Sequence, residues 1–325
     1  GGVAKPRDAA LVLHTSGATS RPKMVSLTHV DLCTWATSIT SAFGLTAEDS
    51  CLNVMPLFHA HGLVTAVLSS LLMGGSVVCT RAFDGHHFFD WLRSYCPTWY
   101  TAVPAIHQVI LERSEFHRET IERCPLRFVR SASAPMRPEL MMSLEKALSA
   151  PVLDSYGMTE VAHLITSNPF PPHRRKLGSV GVPTGLQVGI MDESGNLLAK
   201  GKTGEIVVRS SNLTPGYEND PEANESAFED GWFRTGDQGY FDDDGYLFMR
   251  GRITEVINRG GAKVTPLEVD EVFLEHPAVA QAVTFSVPHA TLGEDVAVAV
   301  VLREGASATE SEIRDLAFGR LAGYK

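Results

Sequence analysis

Basic residues are scarce in this chain: 28 Lys and Arg stand against 38 Asp and Glu, leaving a formal charge of -10. A nucleic-acid backbone would meet repulsion unless a local basic patch compensated, so the balance argues against a nucleic-acid partner. Cysteine is sparse as well. Cys33, Cys51, Cys79, Cys96 and Cys124 are odd in number, widely spaced and free of any C-x-x-C. They suggest neither a disulfide framework nor a zinc knuckle, and read as buried thiols of a reducing compartment. Long apolar runs are also lacking. The uncharged stretch from Ser50 to Thr80 is interrupted by Asn53, Pro56, His59, His61 and Gly74-Gly75. Its apolar part, Leu63 to Met73, falls short of the about 20 residues that a membrane helix needs.

No charged segment followed by an apolar core opens the chain, so no signal peptide is visible. A cytoplasmic protein is expected, or a peroxisomal one whose targeting signal lies beyond this chain. Asn212-Leu213-Thr214 and Asn224-Glu225-Ser226 match the glycosylation tripeptide and are read as chance matches. Internal repeats and low-complexity segments are absent from the pattern.

What is present is 325 residues with 44% apolar and only 20% charged side chains, enough for a sizeable core in domains of roughly 100 to 200 residues each. Up to about residue 170, short apolar runs (Leu11 to Leu13, Cys51 to Met55, Ser76 to Cys79, Leu126 to Val129) alternate with helical candidates near 29–43, 63–73, 86–95, 104–113 and 138–148. That alternation predicts a mostly parallel α/β sheet. From about 180 to 250, Gly, Pro and Asp turns separate short strands, including Val188 to Met191, Gly204 to Arg209 and Gly245 to Met249, and predict antiparallel β structure. After Arg252 come a helix candidate from Pro266 to Glu275, Val-rich strands at Val279 to Val287 and Asp295 to Leu302, and a helix from Glu310 to Leu321. The fold class is therefore α/β, a large domain over 1–252 with an antiparallel portion, followed by a small α+β domain over 253–325. Thr265 is expected to cap the Pro266 helix through its hydroxyl.

Four segments carry the polar chemistry. His14-Thr15-Ser16-Gly17-Ala18-Thr19-Ser20-Arg21-Pro22-Lys23 follows a strand and precedes a helical segment. Its small and hydroxyl residues and its final Lys can cradle a polyphosphate, or form an ordinary polar turn; no Walker A is present. Tyr156-Gly157-Met158-Thr159-Glu160 offers a carboxylate that can hold Mg²⁺ jointly with substrate phosphates, or a helix start capped by Thr159. Gly231 to Asp237 places a carboxylate that can accept ribose hydroxyls, or a plain β-turn Asp. Gly251 to Lys263 is a candidate hinge, or a linker.

In this order and spacing the four segments closely resemble the adenylate-forming superfamily of acyl-CoA synthetases, luciferases and peptide-synthetase adenylation domains, over almost the whole chain. Pro56-Leu57-Phe58-His59-Ala60-His61-Gly62, Ser131-Ala132-Ser133-Ala134-Pro135 and Gly204 to Arg209 match further motifs of that family. The resemblance implies an acid-thiol ligase using ATP, Mg²⁺ and CoA. A carboxylate attacks the α-phosphate of ATP, pyrophosphate leaves, and a thiol captures the acyl-adenylate. By position, Thr15, Ser16, Gly17, Ala18, Thr19 and Lys23 belong to the phosphate loop, while Ser133, Ala134, Pro135, Asp154, Ser155, Tyr156, Gly157 and Met158 wall the adenine. Thr159 touches the α-phosphate and Glu160 the Mg²⁺. Asp237 and Arg252 hold the ribose, and the Gly260-Gly261 loop lines the pantetheine tunnel. His59 stands between acyl pocket and nucleotide, and His59, Ser133 and His163 approach the acyl group. Met158, where carrier-loading relatives usually have Pro, favours CoA as acceptor.

Ser20-Arg21, Glu160-Val161-Ala162-His163 and Thr166 to Pro169 look most like the oxalate-CoA ligase branch, which implies a small polar acid, with a medium-chain fatty acid as the alternative. Some features depart from the family. Its first catalytic portion and the tail with the adenylating lysine have no counterpart in this chain, and Lys325 does not match that lysine. Ala18 replaces a hydroxyl residue, Met24 replaces Gly, and Thr254 stands where a hinge Asp or Lys is usual. A non-catalytic nucleotide-binding remnant and a carrier-loading adenylation domain are the rival expectations.

Overall fold

The computed structural model describes residues 3–15, 22–161, 164–210 and 213–325. Its centre is a seven-stranded sheet. Ser76–Cys79, Ser50–Asn53, Trp99–Ala102, Phe128–Ser131 and Val152–Tyr156 run parallel in that spatial order, and Thr166–Ser167 and Val182–Pro183 extend it antiparallel. Because successive side chains leave opposite faces, each inner strand feeds two cores. Cys51, Trp99, Phe128 and Leu153 pack with Trp35, Ile39 and Phe43 on one side. Leu52, Tyr100, Val129 and Val152 pack with Phe88, Phe89 and Leu144 on the other. Polar side chains gather at the carboxyl ends, where Asn53, Thr101, Arg130, Ser131 and Asp154 are all buried. In sheets of this kind the crevice beyond those ends is where ligands bind.

The surrounding helices start where local chemistry allows. Thr28 and Asp31 form a reciprocal capping box at the head of His29–Phe43, and Gly44 ends that helix with φ 54°. Proline occupies the first turn of Pro104–Ser114 and of Pro138–Leu148, where its missing N–H costs nothing. The apolar segment expected as one helix over 63–73 is instead a π-helix, His61–Leu68, continuing into Ser69–Leu72. Gly62 lies against the preceding loop so tightly that a Cβ there would sit 2.4 Å from the Pro56 carbonyl oxygen.

Ala9–Thr15 and Lys23–Thr28 form an antiparallel pair, and the expected helix follows at His29. Val25 and Leu27 alternate into the core, both fully buried, which makes the segment a strand. An antiparallel sheet follows, with Gln187–Met191, Gly204–Arg209, Trp232–Phe241 and Leu247–Arg252 as its long strands. The last part contains the hairpin Ile257–Arg259 with Ala262–Val264, the paired strands Val279–His289 and Gly293–Leu302, and helices Pro266–Leu274 and Glu310–Arg320.

Two local expectations are corrected. Cys96 and Cys124 form a disulfide, Cys33 and Cys79 are exposed, and only Cys51 is a buried free thiol; the near approach of two helix ends was invisible in their spacing of 28 residues. Thr265 occupies the N-cap position, but its side chain makes no capping bond. Among the described residues, no helix is long and apolar enough to cross a membrane.

Candidate active site

Segments leaving the carboxyl ends of the parallel strands converge on a cleft of about 610 Å³, whose lining includes Lys23, His59, His61, Ser133, Glu160 and Arg252. Thr15 and Lys23 enter it from the two hairpin strands, while Gly157, Met158 and Thr159 enter from the loop after Tyr156. A second cleft of about 790 Å³ adjoins it, sharing Ser133, Gly157, Met158, Arg252 and Thr254. Ala134, Pro135, Ser155, Tyr156 and Asp237 line this second space.

Glu160 stands in a single 3₁₀ turn, Thr159–Val161, and is only 4% exposed. Tyr217 donates its hydroxyl to Oε1 of Glu160 at 2.8 Å, and the Lys23 ammonium lies 4.6 Å from the centre of the Tyr217 ring. Burial pushes the Glu160 carboxyl above its ordinary range, opposed by the Tyr217 hydroxyl and by the charges of Arg252 and Lys23. Among the described residues no group of three or more His, Cys, Asp or Glu could hold a metal. A cation bound by Glu160 would therefore share its coordination with substrate phosphates and water, a mode that suits Mg²⁺.

Asp237 and Arg252 face each other across neighbouring antiparallel strands. Arg252 Nε lies 3.2 Å from Asp237 Oδ1, and Tyr156 donates its hydroxyl to Oδ2 at 2.6 Å. Burial lifts the Asp237 carboxyl, and the Tyr156 hydroxyl and Arg252 oppose that rise. Ser133 occupies the left-handed region at φ 72°, an uncommon conformation for a residue with a side chain and one that recurs at functional sites. His59 is exposed at the rim, its ring 4.6 Å from that of Phe58. His61 is buried, with Nδ1 3.1 Å from Ser133 Oγ.

A family model described as "AMP-binding enzyme" matches residues 2–218, and one described as "AMP-binding enzyme C-terminal domain" matches residues 268–325. The chain belongs to the AMP-binding enzyme family. An oxalate–CoA ligase of Arabidopsis thaliana is 49% identical, over 98% of this chain and 63% of that protein. One of Saccharomyces cerevisiae is 42% identical, over 100% of this chain and 59% of its own length. ATP-bound MatB from Rhodopseudomonas palustris superposes with a TM-score of 0.92 at 32% identity, covering 99% of this chain and 63% of that one. The chain thus spans less than two thirds of the length of these relatives.

The structure brings together most, but not all, of the residues singled out by motif. Ser16, Gly17, Ala18, Thr19 and His163 lie outside the described residues. Asp154 lines neither cleft; it is buried, its Oδ1 accepting the Ser155 amide at 3.1 Å. Gly260 and Gly261 also line neither. They turn the Arg259–Ala262 hairpin with φ 59° and 91°, and the Gly260 amide donates to Leu292 at 3.0 Å. Sequence reasoning missed Tyr217 and His61, both of which line the first cleft. For His61 a signal existed, since His59-Ala60-His61 puts two imidazoles one residue apart, so that one can face solvent while the other enters the core.

Proposed function

We propose that this chain is the greater part of an ATP-dependent acyl-CoA ligase that activates a small polar acid, oxalate before others. The observation that carries the reading is one cleft lined both by a cation and a buried carboxylate, Lys23 and Glu160, and by a hydrogen-bonded imidazole–hydroxyl pair, His61 and Ser133. The names of the Arabidopsis and yeast relatives support oxalate as the acid. We also place the junction between the large and small units after Arg252, where the Leu247–Arg252 strand gives way to the short turn Ile253–Glu255.

In the first half-reaction the acid's carboxylate oxygen attacks the α-phosphorus of ATP, forming the acyl-adenylate and releasing pyrophosphate. Lys23 counters phosphate charge, and Thr159 offers its hydroxyl to the α-phosphate. Asp237 accepts from the ribose hydroxyls while Arg252 and Tyr156 hold its carboxylate in place. Glu160, steadied by Tyr217, would hold Mg²⁺, which when bound neutralises charge on the phosphates. Ser133, Ala134, Pro135 and the segment from Ser155 to Met158 wall the base. In the second half-reaction the CoA sulfur attacks the acyl carbonyl, the thiol proton is lost and AMP leaves. A role for Gly260-Gly261 in that step requires the small unit to move, because the hairpin is outside both clefts as described.

Polar groups left unpaired opposite an alkyl chain cost about 1 to 3 kcal/mol each, whereas a second carboxylate pairs with them. CoA-thioester formation by the full-length protein is measured with oxalate, malonate, octanoate and a cinnamate. Oxalate is expected to show the highest kcat/KM, exceeding octanoate by roughly 10²-fold if two such groups are involved. Octanoate as the best substrate would overturn the polar-acid reading.

A further inference from the structure

A chain of buried polar groups runs from the interior of the sheet to His61 and Ser133, which line the cleft. Arg130 and Thr101 are fully buried on adjacent parallel strands, where they are register partners. Arg130 Nη1 lies 3.3 Å from Thr101 Oγ1. Thr101 Oγ1 lies 2.5 Å from Nε2 of His61, and Nδ1 of His61 lies 3.1 Å from Ser133 Oγ. Each link has a direction. A guanidinium only donates, so Thr101 is the acceptor in the first. A buried hydroxyl must still place its own hydrogen, and Arg130 and His61 are the side-chain partners of Thr101 among the described residues. Arg130 cannot accept, so the hydrogen goes to Nε2 of His61. An imidazole whose Nε2 accepts carries its proton on Nδ1, and that N–H then donates to Ser133 Oγ.

Resting on the acid-ligase reading above, we propose that Thr101 is a positioning residue for the acid site. Its hydroxyl, oriented by Arg130, holds His61 as the neutral Nδ1–H tautomer and thereby sets the placement of the Ser133 side chain, which lines the cleft. Arg130 remains cationic at neutral pH although burial pulls its pKa down to about 9, with Asp154 opposing that shift. Its charge also disfavours an imidazolium at His61. The left-handed backbone of Ser133 at φ 72° fixes the last member of the chain. Thr101 itself touches no substrate, and its effect passes through His61.

The first test is the tautomer of His61 in the full-length protein labelled with ¹⁵N-histidine, read from long-range nitrogen–proton correlations and assigned by the signal lost in His61→Asn. Nδ1 protonated and Nε2 bare is expected; an Nε2–H tautomer or an imidazolium overturns the proposal. This measurement needs neither turnover nor a variant that alters Thr101, so it stands even if the protein ligates no acid. The second test is Thr101→Val, which keeps the β-branched shape and removes the hydroxyl. It is expected to raise KM for the acid by about tenfold, the worth of one lost hydrogen bond, with kcat and AMP affinity little changed, while Thr101→Ser keeps the parent tautomer and KM. Unaltered KM and tautomer in Thr101→Val overturn it, as does an equal loss in AMP affinity, the mark of a merely structural role. If no acid is activated while the tautomer is as expected, the ligase reading fails and the assignment of the relay stands.

Discussion

Asp237 shows how one buried carboxylate serves both binding and stability, with opposite pH dependences. Burial lifts its pKa, and the Tyr156 hydroxyl and Arg252 only partly offset that lift. The acid form cannot accept from both ribose hydroxyls, so AMP affinity, measured without Mg²⁺ to leave Glu160 out of account, is expected to fall as pH drops through the raised pKa. Folding responds the other way. A carboxyl that binds its proton more tightly folded than unfolded adds stability below its ordinary pKa of about 3.9, and that contribution is lost as pH rises through the raised value. Asp237→Asn should therefore bind AMP weakly, with a flattened pH profile. Retention of the parent profile in that variant would show that another group governs it.

At the scale of elements, the turn that carries His59 and His61 depends on one close approach. A Cβ on Gly62 would meet the Pro56 carbonyl oxygen at 2.4 Å and that of Met55 at 2.8 Å; both are backbone atoms, which cannot rotate away. Gly62→Ala is expected to destabilise the protein by about 1 to 3 kcal/mol, as overpacking does. Gly319 in the Glu310–Arg320 helix has nothing within 4 Å of a built Cβ, so Gly319→Ala should stabilise by about 0.5 kcal/mol. Urea unfolding of the two variants checks both signs, and a fully stable Gly62→Ala would contradict the close contact.

Strong local signals made many elements legible before the fold was known. Pro138–Leu148 has proline at its start, and the Val-rich strands of the last part alternate clearly. Trp99–Ala102 went unseen although it sits at the middle of the sheet, because its four residues carry no periodicity and lie between Pro97 and Pro104. Trp232–Phe241 was hidden by Gly236 and Gly239, the latter next to a register irregularity in its pairing with Leu247–Arg252. Motifs located Lys23, Ser133, Glu160, Asp237 and Arg252. They could not reveal Tyr217, whose contact with Glu160 joins residues 57 positions apart, or the link between Thr101 and His61, which are 40 apart.

Across the whole molecule, the two adjoining clefts lie where three parts meet: the parallel sheet, the antiparallel sheet and the last α+β unit. Thr254 lines both clefts in the turn that leads into that last unit. Lys263 reaches back to Glu193 in the antiparallel portion at 2.9 Å, with both side chains exposed; solvent screens such a pair, which would not by itself prevent the parts from moving. We propose that this arrangement makes an acyl-adenylate. ATP–pyrophosphate exchange by the full-length protein tests it most directly. The exchange is expected to require both oxalate and Mg²⁺, and to fall by roughly 10²-fold in Glu160→Gln while AMP affinity stays unchanged, by analogy with loss of one group that stabilises transition-state charge. Oxalate-dependent thioester formation that releases ADP and phosphate, with no pyrophosphate exchange, would contradict it.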